Sequence, residues 1–84
     1  MNLIKKMEVN ARLFADSIAI IDTSADKKIK YKELWEKINA VAAGLLSLGI
    51  GKGDRVALLL PNGAAFIICY YAVLSVGAIA VPIN

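Results

Sequence analysis

Along the chain the apolar positions change period several times, and each change marks an element. Leu3, Met7, Ala11 and Phe14 recur at helical spacing, with Lys5, Lys6, Glu8 and Arg12 placed elsewhere around the axis, which predicts an amphipathic helix of about three turns. Asp16 and Ser17 end that pattern. Ser17 to Asp22 and Lys28 to Tyr31 are short β-prone runs separated by the mostly polar, turn-forming stretch Thr23 to Lys27, and together they predict a hairpin. From Lys32 the period returns to that of a helix. Leu34, Ile38, Val41, Leu45 and Leu48 form its stripe, widened by Trp35, Ala42 and Leu46. Glu33 in the first turn suits the positive end of the helix dipole and stands in the favourable orientation for an ion pair with Lys37. Gly49 is the expected left-handed cap, with Ile50 folding back on the last turn.

Beyond Gly49 the chain is almost continuously apolar. Arg55 to Leu60 has no polar alternation, as in a strand covered on both faces, so Val56 to Leu60 is expected in a sheet interior. Pro61, Asn62 and Gly63 interrupt the run, with Asn62 the candidate cap for a helix over Ala64 to Val76 that Gly77 closes. Ala78 to Pro82 is a second short apolar run. Strand, helix and strand in this order make a right-handed parallel crossover. The expected fold is α/β: an N-terminal helix, a hairpin, then a helix feeding a parallel βαβ unit.

Composition narrows the picture. The 84 residues are 58% hydrophobic and 20% charged, and no charged residue follows Arg55. That is too apolar for a small domain that must cover its own core, since a chain of this size buries only about two thirds of its unfolded surface. The net charge of +3 is scattered over the first two thirds and implies no nucleic-acid surface. Cys69 is the one cysteine and histidine is absent, which excludes an internal disulfide, a zinc site of the usual ligands and a cysteine–histidine nucleophile. The N-terminal residues lack the apolar run of a secretory signal, so a cytoplasmic location is expected.

The candidate chemistry is sparse. Lys27, Lys28, Lys30 and Lys32 surround Tyr31 and resemble a phosphate patch with a stacking ring, but lysines at a hairpin edge more simply discourage edge pairing. Gly49, Gly51 and Gly53 evoke a phosphate-cradling loop, yet they end a helix and precede a strand, the reverse of a dinucleotide fingerprint, and are read as turn residues. Asp54 has no acid or base to pair with, and Trp35 is read as core. Tyr70 and Tyr71 are adjacent and cannot share one helix side, so at least one hydroxyl should find a polar partner or water.

Gly51, Gly53, Asp54, Arg55 and Val56, then Leu60, Pro61 and Asn62, and above all Gly77, Ala78, Val81, Pro82, Ile83 and Asn84, resemble the start of the adenylate-forming family, whose early signature is GAxxVPIN; Tyr31, Glu33 and Leu34 match its YxEL helix start. Asn84 resembles acyl- and aryl-CoA synthetases more than amino-acid-activating domains. The resemblance implies a much longer parent enzyme that couples a carboxylic, fatty-type acid to ATP with Mg2+ and passes the acyl group to coenzyme A. In the family the phosphate loop, the metal-binding acid, the ribose-binding acid and the catalytic lysine lie downstream of the signature. No catalytic, cofactor-binding or metal-binding residue is therefore assigned among residues 1–84, which are expected to be one partial domain, inactive alone and prone to self-association. Two other readings stand beside it: a small membrane-anchored protein with a span near residues 64–81, and a module that completes a partner's sheet.

Overall fold

The computed structural model describes residues 2–83. In chain order these are α1 (Leu3–Leu13), β1 (Ile18–Asp22), β2 (Lys27–Lys30), α2 (Tyr31–Ser47), β3 (Arg55–Leu58), α3 (Ala64–Ser75) and β4 (Ile79–Pro82). β1 and β2 pair antiparallel, β3 and β4 pair parallel, and the two pairs are separate sheets. The α/β class and the order of elements are those the sequence predicts.

α1 starts at a local cap: the Asn2 side-chain oxygen accepts from the Lys5 amide at 2.8 Å. Met7 and Ala11 are buried, whereas Leu3 and Phe14 at the two ends of the expected stripe are 51% and 52% exposed. Phe14 has already left the helix as its C-cap.

α2 begins one residue earlier than expected, at Tyr31, because the loop after α1 supplies acceptors for its free amides. The Tyr31 amide donates to the Ser17 carbonyl at 3.0 Å and the Lys32 amide to the Ala15 carbonyl at 3.1 Å. Glu33 turns back to accept from the Lys30 amide at 3.2 Å, and the expected Glu33–Lys37 ion pair does not form. The buried stripe is Leu34, Ile38 and Ala42, flanked by half-buried Trp35, Val41 and Leu45. Leu46 and Leu48 are corrected out of it, at 58% and 77% exposed, Leu48 because it is the C-cap.

The helix stops are as expected. Gly49 takes φ +84, its amide donates to Leu46 O at 3.0 Å, and the Ile50 amide reaches Leu45 O at 3.1 Å. α3 repeats the arrangement: Gly77 has φ +81, its amide donates to Leu74 O at 3.0 Å, and the Ala78 amide reaches Val73 O at 3.2 Å. In each case the left-handed residue directs two successive amides onto carbonyls the helix leaves free.

β3 is shorter than expected. It ends at Leu58, which pairs with Pro82, and the Ile83 amide closes the ladder on the Leu58 carbonyl at 3.0 Å. Leu59 and Leu60 continue past the ladder and are 73% and 37% exposed, so placing Val56 to Leu60 in a sheet interior is corrected to half-buried Val56 and buried Leu58. The reason is one-sided cover: α3 packs on one face, and Ala57, Ile79 and Val81 alternate onto the other.

The core has two parts. Met7, Ile29, Leu34, Ile38, Ala42, Ala64 and Ala72 form the larger, where α1, the hairpin, α2 and α3 meet; Leu58, Val73 and Ala78 form the smaller, under β3 and β4. Tyr71 packs on the first and Tyr70 on the second, so the adjacent tyrosines do part to different sides. No buried side-chain nitrogen or oxygen lacks a hydrogen-bond partner among the described residues.

Candidate functional site

In an open parallel sheet the loops leaving the carboxyl ends of the strands are where ligand chemistry collects. At that end of β3 and β4, Leu59, Leu60, Pro61, Asn62 and Ile83 surround an open hollow of about 380 Å3. Its lining offers one side-chain amide and no charge, which suits an apolar or neutral surface and provides no acid, base or nucleophile. Asn84, the last residue of the signature, lies outside the described residues.

The helix leaving this loop is capped in a way the sequence does not announce. Asn62 is not the cap; Gly63 holds that position, at φ +146 and with no side chain to offer. The acceptor comes instead from Asp22 at the end of β1, whose Oδ2 accepts from the Ala64 amide at 3.3 Å. Its other oxygen accepts from the Ser24 hydroxyl at 2.7 Å and from the Ser24 and Ala25 amides at 3.2 and 3.3 Å. The Ser24 hydroxyl first, and then the Ala64 amide, hold the Asp22 carboxyl below its ordinary range, against a smaller opposing effect of lost solvation. The local half of this arrangement has a signal, an acid two residues before a serine in a turn. The half that reaches α3 has none.

The remaining candidates lie in turns, at the hairpin edge and against the core. Gly49 and Gly53 both take φ +84, the Gly51 amide donates to Asp54 Oδ2 at 2.8 Å, and the Gly53 amide to Gly77 O at 3.1 Å. Asp54 thus folds the turn between α2 and β3. Lys32 pairs with Asp16 at 3.1 Å, which lowers the Asp16 pKa, while Lys27, Lys28 and Lys30 are exposed and half-buried Tyr31 packs on the core. Trp35 packs on the same core, and Cys69 is a half-buried free thiol on the smaller one. Among the described residues no group of three or more His, Cys, Asp or Glu side chains is placed to hold a metal ion. None of the helices described is long and apolar enough to cross a membrane, and α3 stops after 12 residues.

The model of a known family, described as AMP-binding enzyme, matches residues 7–84. A long-chain-fatty-acid–CoA ligase of Mycobacterium tuberculosis is 44% identical over 66 residues, which is 79% of this chain and 13% of that protein. A crotonobetaine/carnitine–CoA ligase of Salmonella paratyphi B is 42% identical over 86 residues, 99% of this chain and 17% of the relative. The fold superimposes on a fatty acyl CoA synthetase of Mycobacterium tuberculosis with a TM-score of 0.92 at 37% identity, covering 99% of this chain and 16% of the other. It also superimposes on the Klebsiella oxytoca NpsA N-terminal subdomain in complex with anthranilyl-AMSN, with a TM-score of 0.90 at 32% identity, covering 98% and 21%. The chain therefore spans less than a fifth of the length of these curated relatives, and over nearly all of its own length it belongs to the AMP-binding enzyme family.

Proposed function

We propose that residues 1–84 are the N-terminal structural segment of an ATP-dependent carboxylate-activating ligase, one partial domain of a longer cytoplasmic enzyme, and that the parent makes an acyl-adenylate and then an acyl-CoA. In that chemistry a carboxylate oxygen attacks the α-phosphorus of ATP and pyrophosphate leaves; the thiol of coenzyme A then attacks the acyl carbon and AMP leaves. The observation that carries the reading is near-complete superposition on a fatty acyl CoA synthetase several times longer. The CoA ligases among the relatives support coenzyme A as acceptor and a fatty or similar carboxylic acid as substrate.

The part these residues play is architectural. β3 and β4 begin a parallel sheet, α3 covers its first face, and the exposed face awaits further strands and helices of the parent. ATP, Mg2+ and coenzyme A are assigned to the parent, and the isolated segment is inactive. Calorimetric titration of the isolated chain with MgATP should be flat, and a micromolar affinity would overturn this assignment. The gene beyond the codon for Asn84 tests the wider reading: a loop rich in Ser, Thr and Gly with a Lys is expected there, and a stop codon would contradict it.

A further inference from the structure

Most polar side-chain contacts here are local. Apart from the Lys32–Asp16 ion pair, the bond from the Ala64 amide to Asp22 is the one polar side-chain contact among the described residues that joins distant segments, across 42 positions. The hairpin otherwise packs mainly on α2. The Asp22 carboxylate is divided between two tasks. Oδ1 gathers the Ser24 hydroxyl and the Ser24 and Ala25 amides and so shapes the hairpin turn, while Oδ2 takes the first free amide of α3.

Gly63 is fitted to the same contact from the other side. Its φ of +146 is a conformation side chains avoid, and a Cβ built there would lie 3.3 Å from Asp22 Oδ2. The loop that lines the hollow at the carboxyl end of β3 therefore has its last residue held between α3 and a carboxylate of the hairpin. A carboxylate at this place also complements the positive end of the helix dipole, so the α3 N-terminus is closed by an anion of the chain itself. Asp26, Lys27 and Lys28 line the recess beside Asp22, and none of them makes a hydrogen bond or ion pair to its carboxylate.

We propose that Asp22 is a positioning residue: a clasp that couples the β1–β2 turn to the start of α3 and thereby sets the Leu59–Gly63 loop at the carboxyl end of the parallel strands. The inference stands on the geometry of this chain and not on the ligase reading. Hydrogen exchange followed by mass spectrometry on the parent protein tests it, since the readout is local. Asp22→Ala should raise exchange over residues 64–67 by about tenfold while α2 keeps its protection. Asp22→Asn, whose one amide oxygen stays with the three donors of the turn and turns its NH2 toward the Ala64 amide, should keep the turn and still raise exchange over residues 64–67, and Ser24→Ala should disturb the hairpin turn and spare α3. Unchanged exchange over residues 64–67 in Asp22→Ala would overturn the clasp. Should Asp22→Ala unfold α2 as well, Asp22→Asn decides: faster exchange at the α3 start with α2 intact supports the clasp, and unchanged exchange there contradicts it.

Discussion

α2 and α3 are helices of one small chain with different surfaces. α2 has a stripe, Leu34, Ile38 and Ala42, buried against α1, the hairpin and α3, and polar residues such as Glu36 and Lys37 on the solvent side. α3 carries no charged residue along its length, and half of it, from Phe66 to Tyr71, is only half-buried. The strands it joins repeat the imbalance: Leu58 is buried beneath α3 while Ile79 and Val81 on the other face are 48% and 39% exposed. The N-terminal half has a covered core, and the βαβ half has one face covered and one face open. An all-round apolar helix and a parallel sheet are both features of interiors, so under the proposed function the open face is where the parent adds cover.

Substitution tests the comparison most strongly. Ile38 is fully buried and central to the first core, so Ile38→Ala should cost about 2–5 kcal/mol by urea unfolding of the parent protein. Leu59 is 73% exposed here, where a surface truncation would cost under about 0.5 kcal/mol. If the parent covers this end of the sheet, Leu59→Ala should instead show a loss of core size in the same assay, and a surface-sized loss would count against cover at that position.

The glycine cap comes next in size. Gly49 sits at φ +84 with open space where a Cβ would go, so Gly49→Ala should cost roughly 1 kcal/mol through the backbone alone, and Gly49→Asn less. Equal, negligible effects in the parent would show that the left-handed cap is not what ends α2.

The smallest effect is on acid sensitivity. Asp22, Asp16 and Glu8 all have lowered pKa values, from the Ser24 hydroxyl, from Lys32 and from Lys5 respectively. A lowered folded-state pKa gives stability that is complete above the unfolded value, about 4 for these carboxyls, and is lost as pH falls through the folded value. In the parent protein Asp22→Asn should therefore lower the melting temperature between about pH 5 and 8 and lose that effect as pH falls below about 4, where the native carboxyl is itself protonated. Lys27, Lys28 and Asp26 are the charged neighbours of Asp22 in its recess. A difference between the two proteins that persists in strong acid would contradict this account.

What the sequence reveals divides by range. Every element and the parallel crossover follow from period and punctuation, and both C-terminal caps are legible because a glycine after a helix acts on its own last turn. The helix starts are less so. α2 takes its acceptors from Ala15 and Ser17, and α3 takes its own from Asp22, partners whose approach depends on the finished fold. Asn62 has a good capping side chain and still loses the position to Gly63, since the carboxylate of β1 is already there. β3 is shorter than its composition suggests for a related reason: Leu59 and Leu60 have the composition of a buried strand, and no partner among the described residues buries them.

The central claim, that these residues form the opening part of a larger domain and do not close a core of their own, is tested most directly by analytical ultracentrifugation of the isolated 84-residue chain. Its open sheet face and uncovered helix should drive it into oligomers or aggregates across the accessible concentration range. A stable, monodisperse monomer with a cooperative melt would contradict the claim and show that the βαβ half needs no further cover.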